Sequence, residues 1–270
     1  MELSGTTAIV TGAANGIGRA IARRFHADGA RVAVVDRDGP GAAAVAADLA
    51  AIRPGSAVGL ACDVADPDAV AAMVATVRAE YGPVDLAFAN AGIGLGTDLE
   101  TSDDDWDRSF AVNVKSHYYL ARCLVPEWIE RGHGYFCSTA SAAGLLSQIG
   151  SAPYSVTKHA AVAFAEWLSI TYGDRGVRVS CLCPQGVNTD MLNGGRNPGA
   201  VAATGASVVK LAGAVLEPEQ VAATVVEAIR DERFLILPHP EVLGYWQRKT
   251  ADVDRWLTGM RRLQAKVLGG

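Results

Sequence analysis

Seven short apolar runs, separated by segments of helical patterning, leave this chain few ways to fold. The runs cover residues 6–10, 31–35, 56–61, 84–89, 135–138, 177–182 and 234–237. A strand wetted on one face alternates apolar with polar residues, whereas a strand covered on both faces reads as a near-continuous apolar run. Strands that alternate with helices pair in parallel, because each crossover returns the chain to the same end of the sheet. The sequence therefore predicts an α/β fold: one doubly wound domain over residues 1–270, with a seven-stranded parallel sheet and helices on both faces. No long polar linker or internal repeat divides the 270 residues, half of which are apolar. Helices are predicted over about 17–27 and 41–51, from Pro67 behind a capping Asp66, and over 103–130 behind Ser102.

Ligands in open parallel sheets bind outside the C-terminal ends of the strands, and several runs end on residues suited to a dinucleotide. The first leads into Thr11-Gly12-Ala13-Ala14-Asn15-Gly16-Ile17-Gly18. Glycines let the backbone turn sharply against a diphosphate, and the helix that follows presents free N–H groups and the positive end of its dipole. The Gly12 to Gly16 spacing is wider than in the common G-x-G-x-x-G. Asp36 closes the second run. A carboxylate there accepts from a ribose 2′-OH and repels a 2′-phosphate, which favours NAD over NADP; the alternative is an ordinary turn aspartate. Arg37 pulls the other way, since a guanidinium can pair with that phosphate. Asp63 and Val64 follow the third run, where the carboxylate either meets an adenine amino group or merely precedes a helix. Asn90-Ala91-Gly92 form a tight turn after the fourth, with Asn90 at the ligand or holding neighbouring backbone.

The fifth run leads through Ser141 to Tyr154 and Lys158, four apart on a helix and therefore on one face. A free tyrosine titrates near a pH of about 10. An ammonium close by favours phenolate and is expected to draw that value toward neutrality. Ser141 can hydrogen-bond the same reacting oxygen. Such a trio suits proton transfer to or from a carbonyl or alcohol oxygen, although Tyr-x-x-x-Lys alone recurs by chance in helices.

Together these residues resemble the short-chain dehydrogenase/reductase family. The resemblance runs from about residue 4 to residue 191 through Gly12, Gly16, Ile17, Gly18, Asp63, Asn90-Ala91-Gly92, Asn113, Ser141, Tyr154 and Lys158. It implies a Rossmann-type sheet, a nicotinamide cofactor and reversible hydride transfer between alcohol and carbonyl. By resemblance Tyr154 is the general acid/base and Ser141 steadies the substrate oxygen. Lys158 binds the nicotinamide ribose and lowers the tyrosine pKa. Asn113 holds a helix kink and a water that links Lys158 to solvent. The family's Pro-Gly-x-Val-x-Thr segment reads Pro184-Gln185-Gly186-Val187-Asn188-Thr189 here. Pro184, Gly186, Val187 and Thr189 are thus cofactor-binding by resemblance, and Gln185 stands where a glycine is usual. Gln185 is read either as a substrate contact or as a brace for its loop.

The resulting expectation is an NAD-dependent dehydrogenase or ketone reductase acting on a hydrophobic secondary alcohol or ketone. Leu145, Leu146, Ile149 and Met191 would supply apolar pocket wall and Gln148 a further substrate contact, with the apolar stretch 191–216 nearby. An NADP-dependent ketoreductase is the nearest alternative. Enoyl reduction is disfavoured because relatives that reduce carbon–carbon bonds space tyrosine and lysine more widely. A non-catalytic dinucleotide-binding regulator would be expected to lack one of Ser141, Tyr154 and Lys158.

Composition limits the partners. A net charge of −5 gives no basic footprint for nucleic acid. No apolar run has membrane-spanning length, and residues 1–5 lack the pattern of a signal peptide. Five cysteines, four in or beside apolar runs, read as free thiols of a reducing compartment, the cytoplasm. Cys181-x-Cys183 has no second pair at zinc spacing, so no metal is expected. Partners are expected to be the small substrate and further copies of this chain, as homodimer or homotetramer. A helical C-terminal extension is predicted over about 241–268. Val253, Trp256, Leu257, Met260, Leu263 and Val267 share one face of it, for packing on this domain or a partner subunit.

Overall fold

The computed structural model describes residues 1–194, 208–209 and 213–269. Their seven strands are β1 (Thr7–Thr11), β2 (Arg31–Asp36), β3 (Ala57–Ala61), β4 (Leu86–Ala89), β5 (Gly134–Thr139), β6 (Val177–Leu182) and β7 (Leu235–Ile236). All pair in parallel, in the order β3-β2-β1-β4-β5-β6-β7. β7 is shorter than expected, pairing only through Leu235 and Ile236. Pro238 lies just beyond and has no N–H to extend a ladder.

The apolar runs are explained by cover on both sides. Ile9, Ala33, Ala87 and Phe136 pack on one face with α3 (Pro67–Tyr81), α5 (Ser116–Arg131) and α7 (Ala152–Tyr172). Their neighbours Ala8, Val10, Val32, Val34, Leu86 and Phe88 point to the other face. There they meet Ile21 and Phe25 of α1 (Gly16–Ala27), Val45 of α2 (Gly39–Ile52), and Val225 and Ile229 of α9 (Pro218–Arg230). Full burial of such a side chain is worth about 1.5–3 kcal/mol, so neither face tolerates a polar alternate position. The chain runs outward from β1 to β3 and then returns to β4 on the opposite side of β1. Strand order therefore reverses between β1 and β4, the place where such sheets open a crevice at their C-terminal ends.

The long helix expected over 103–130 is present but interrupted. α4 (Asp103–Phe110) passes into a π-helical turn, Ala111–Lys115, and then into α5. Ser102 caps its start, accepting from Asp105 N at 3.2 Å, and the three aspartates lie in the first turn as the dipole favours. Two short helices, α6 (Ala143–Leu146) and α8 (Asp190–Asn193), follow β5 and β6.

The C-terminal extension is two helices rather than one: α10 (Glu241–Ala251) and α11 (Val253–Gly269). Asp252 between them is extended, and its Oδ1 accepts from Arg255 N at 2.9 Å, so it ends one helix by capping the next. α11 packs chiefly on α10, and Val253 and Leu257 of its apolar face remain about half exposed. Of the stretch 191–216, residues 195–207 and 210–212 lie outside the described residues. Among the described residues no helix is long and apolar enough to cross a membrane.

Candidate active site

A cleft of about 550 Å³ opens at the β1–β4 reversal. Its floor is set by hydrogen bonds between strand ends. Thr11 Oγ1 accepts from Asn90 N at 2.9 Å and Ala91 N at 3.1 Å, and Asn90 Nδ2 donates to Thr11 O at 3.0 Å. Thr139 at the end of β5 donates to Asn90 Oδ1 at 3.2 Å. Asn90 thus ties β1, β4 and β5 together and holds backbone while lining the cleft.

The acidic residues at the strand ends are already engaged. Asp36 accepts from Ala14 N and Asp38 N, each at 3.0 Å, and so anchors the glycine-rich turn to β2. Asp63 accepts from Ala65 N at 3.0 Å and from the Arg108 guanidinium at 2.9 Å. Burial works to raise the Asp63 pKa, but the Ala65 bond and the charges of Arg108 and Arg37 outweigh it and hold the carboxyl below the usual range.

Tyr154 and Lys158 come from the first turns of α7, whose Ser151 cap accepts from Tyr154 N at 3.3 Å. Both side chains are buried. Lys158 Nζ donates to Thr139 O at 3.0 Å and lies 5.7 Å from the centre of the Tyr154 ring. Burial pushes the Lys158 pKa down to about 8. It pushes Tyr154 up, against a hydrogen bond with Ser141 that favours the charged form. The expected lowering of the tyrosine by its lysine is therefore reversed here. The cost of burying a phenolate dominates, and the ammonium is directed at the Thr139 carbonyl.

Ser141 sits between Tyr154 and the β6 loop, with its Oγ 3.4 Å from Pro184 O. Asn113 lies in the π-helical turn, fully buried. It accepts from Ile93 N at 2.8 Å and donates to Ile93 O at 2.9 Å and Thr157 Oγ1 at 3.0 Å. A Cβ added to Gly92 would stand 3.3 Å from Lys158 Nζ and 3.4 Å from Asn113 Oδ1, so both groups close on the same strand end. The cleft thus has a tight glycine turn at one end and a serine–tyrosine–lysine trio at the other. A donor and acceptor of one proton, with a hydroxyl beside it, can serve a carbonyl or alcohol oxygen.

The short chain dehydrogenase model matches residues 6–198. The chain belongs to the short-chain dehydrogenase/reductase family. It is 37% identical over 191 residues to a D-threitol dehydrogenase of Mycolicibacterium smegmatis, covering 70% of this chain and 73% of that one. It is 35% identical to a meso-2,3-butanediol dehydrogenase of Serratia marcescens, over 72% of this chain and 76% of that one. A family structure from Burkholderia phymatum in complex with NAD superposes with a TM-score of 0.85 at 31% identity, over 94% and 96% of the two chains. The family consists of oxidoreductases that work with a nicotinamide dinucleotide, and this cleft fits one. Gly18 packs so tightly on the β1 end that a Cβ would stand 2.1 Å from Gly12 O, the close helix–strand packing that sets a helix N-terminus where it would face a diphosphate.

Within this short-chain dehydrogenase/reductase, the cleft collects most of the residues singled out from sequence. Gly12, Asn15, Gly16, Ile17, Gly18, Asp36, Arg37, Asp63, Val64 and the Asn90–Gly92 turn line one end. Ser141, Gln148, Tyr154, Lys158, Pro184, Gln185, Val187, Thr189 and Met191 line the other. Five do not line it. Asn113 stands beside Lys158, and Gly186 is buried within the loop after β6. Leu145 is a correction: it is turned inward and packs in the core with Ala161, Val162 and Ala165, because α6 lies against α7. Leu146 and Ile149 also fall outside the lining, so apolar wall comes instead from Ala142, Ala143, Leu192 and Val209 beside Met191.

The two readings of Gln185 are separated by atom. Its backbone N donates to His239 Nδ1 at 3.1 Å, which braces the loop. Its side-chain Oε1 is buried and has no hydrogen-bond partner among the described residues, so that atom takes no part in the bracing.

Sequence reasoning missed Arg108, Thr139 and His239. Thr139 was findable, since it ends a strand. Arg108 and His239 act across 45 and 54 residues of chain, and no local pattern marks them.

Proposed function

We propose that this chain is a dehydrogenase/reductase that interconverts a secondary alcohol and its ketone, using NAD(H) in preference to NADP(H). The convergence of Ser141, Tyr154 and Lys158 beside the glycine turn carries the reading. The relatives named above, whose substrates are polyols or diols, support an alcohol substrate. In reduction the Tyr154 phenol gives its proton to the carbonyl oxygen, and in oxidation it recovers one from the alcohol. The Ser141 hydroxyl orients that oxygen. Lys158, held on Thr139 O, keeps a positive charge near the phenol and would face the ribose. Asn113 fixes the Gly92–Ile93 turn against which Lys158 rests. A bound nicotinamide supplies the hydride donor or acceptor. Thr189 and Val187, which line the cleft, would hold its carboxamide. Met191, Leu192 and Val209 favour an apolar substrate body, and Gln148 and Gln185 add polar contacts.

NAD preference rests on the Asp36 carboxylate at the end of β2. Because both its oxygens also hold backbone, the informative variant is Asp36→Asn, which keeps an acceptor while removing the charge. The ratio of kcat/KM for NAD over NADP is expected to fall by roughly tenfold or more, the scale of a charge-assisted hydrogen bond. A panel of secondary alcohols and ketones run with both cofactors tests the whole reading. An unmodified protein that prefers NADP overturns the part played by Asp36.

We place the protein in the cytoplasm on its five free thiols and read it as a homodimer or homotetramer. Tyr118 on α5 and Trp167 and Ile170 on α7, at 47%, 50% and 84% exposure, offer a face for another copy. Its mass in solution by light scattering is expected to be two or four times 28.1 kDa.

A further inference from the structure

The segment from His239 through α10 holds both walls of the candidate substrate cleft. His239, 1% exposed, accepts from Gln185 N through Nδ1 and donates from Nε2 to Gly186 O at 3.0 Å. Those two bonds fix its tautomer and grip the loop after β6. Ten residues on, Lys249 of α10 donates from Nζ to Leu145 O at 2.6 Å. Leu145 belongs to α6, in the loop that carries Ser141 at one end and Gln148 at the other. A lysine at the C-terminal end of a short helix satisfies a carbonyl that has no partner within the helix.

The loop it holds is strained. Ser147, between Leu146 and Gln148, has φ +73 and ψ 144, a backbone region that residues with a side chain adopt only when their surroundings enforce it. The enforcement comes from two sides. Ser155 Oγ accepts from Gln148 N at 2.8 Å on the α7 side, and Lys249 holds Leu145 O on the α10 side. Gln148 faces the cleft immediately after the strained residue.

We infer that Lys249 is a positioning residue, holding the Ser141–Gln148 wall so that its side chains meet the substrate, while His239 holds the opposite wall from the same segment. This inference rests on the proposed activity only for its kinetic consequence. Lys249 touches neither the cleft nor the glycine turn, so its removal should act on substrate and not on cofactor.

The experiment uses the full chain with Lys249→Met, which keeps length but loses the donor, and Lys249→Arg, which keeps a donor. Hydrogen exchange is followed across residues 142–149, and KM is measured for substrate and cofactor separately. In Lys249→Met, exchange in that segment is expected to speed up by roughly tenfold or more, with the β1–α1 turn unchanged. The substrate KM should rise by about tenfold, with the cofactor KM within about twofold and Lys249→Arg near the original values. Unchanged exchange in 142–149, or faster exchange spread over the sheet, would show that Lys249 merely anchors α10 and would overturn the inference. Substrate and cofactor KM rising together would overturn it as well. If the unmodified protein turns over no alcohol or ketone, the functional reading fails, and the exchange measurement alone decides the part played by Lys249.

Discussion

Tyr154→Phe lowers turnover by roughly 10²–10⁴-fold, the range for loss of a positioned proton donor, and leaves cofactor affinity within about twofold. The change removes one hydroxyl from a ring that is 9% exposed, so packing is kept. Lys158 keeps its place because its hydrogen bond goes to Thr139 O rather than to the phenol. The pH dependence follows from the direction of the tyrosine shift. Burial raises its pKa, so the phenol remains protonated through neutrality and reduction has its donor there. Oxidation needs the base form, whose population grows as pH rises toward the raised pKa. The oxidative rate should therefore climb with pH over a range where the reductive rate does not, and the phenylalanine variant should lose that climb. Steady-state rates in both directions across pH decide it, and near-normal kcat in Tyr154→Phe would remove the assigned role.

Gly18→Ala is expected to abolish useful cofactor binding, raising KM for the dinucleotide by at least about tenfold, the scale of a small misplacement at a binding cradle. An added Cβ would stand 2.1 Å from Gly12 O and 2.7 Å from both Gly12 C and Asn90 Nδ2. Two of those atoms are backbone, so no rotamer relieves the overlap. Either the turn opens or α1 slides away from β1, and both move the N–H groups that would face the diphosphate. Overpacking of this kind costs about 1–3 kcal/mol of stability, so the melting temperature should fall as well. Gly173 is the matched control, because its Cβ position meets nothing within 4 Å and its φ is −55°. Fluorescence titration with the reduced dinucleotide and a thermal melt read both effects. Unchanged affinity in Gly18→Ala would show that the turn does not cradle the cofactor.

The layers were legible because the sheet is buried on both faces. Burial removes polar residues from both alternations, and the apolar runs of β1, β2 and β4 record that directly. The trio was legible because a helix places Tyr154 and Lys158 on one face by spacing alone. Depth was not legible. The same spacing on an exposed helix would let the ammonium lower the tyrosine, whereas here the cost of burial wins. Leu145 was misplaced for a related reason: an apolar residue in a loop suits a pocket or a core, and only the seating of α6 on α7 decides between them. Pairs such as Arg108–Asp63 and Lys249–Leu145 join segments 45 and 104 residues apart, and sequence periodicity carries nothing about them.

The π-helical turn at Ala111–Lys115 puts the two halves of the long helix out of phase. Such a turn holds one residue more than regular winding needs, and each residue of an α-helix is worth about 100° of rotation. The first half can therefore aim Arg108 at Asp63, while the second aims Leu120, Leu124 and Trp128 at the sheet. A regular helix of the same length cannot do both. Removing any one residue of the turn would restore ideal winding and force one half to rotate, withdrawing either the arginine from the cleft or the tryptophan from the core. The irregularity is what lets one rod answer to two surfaces, with Asn113 at the joint.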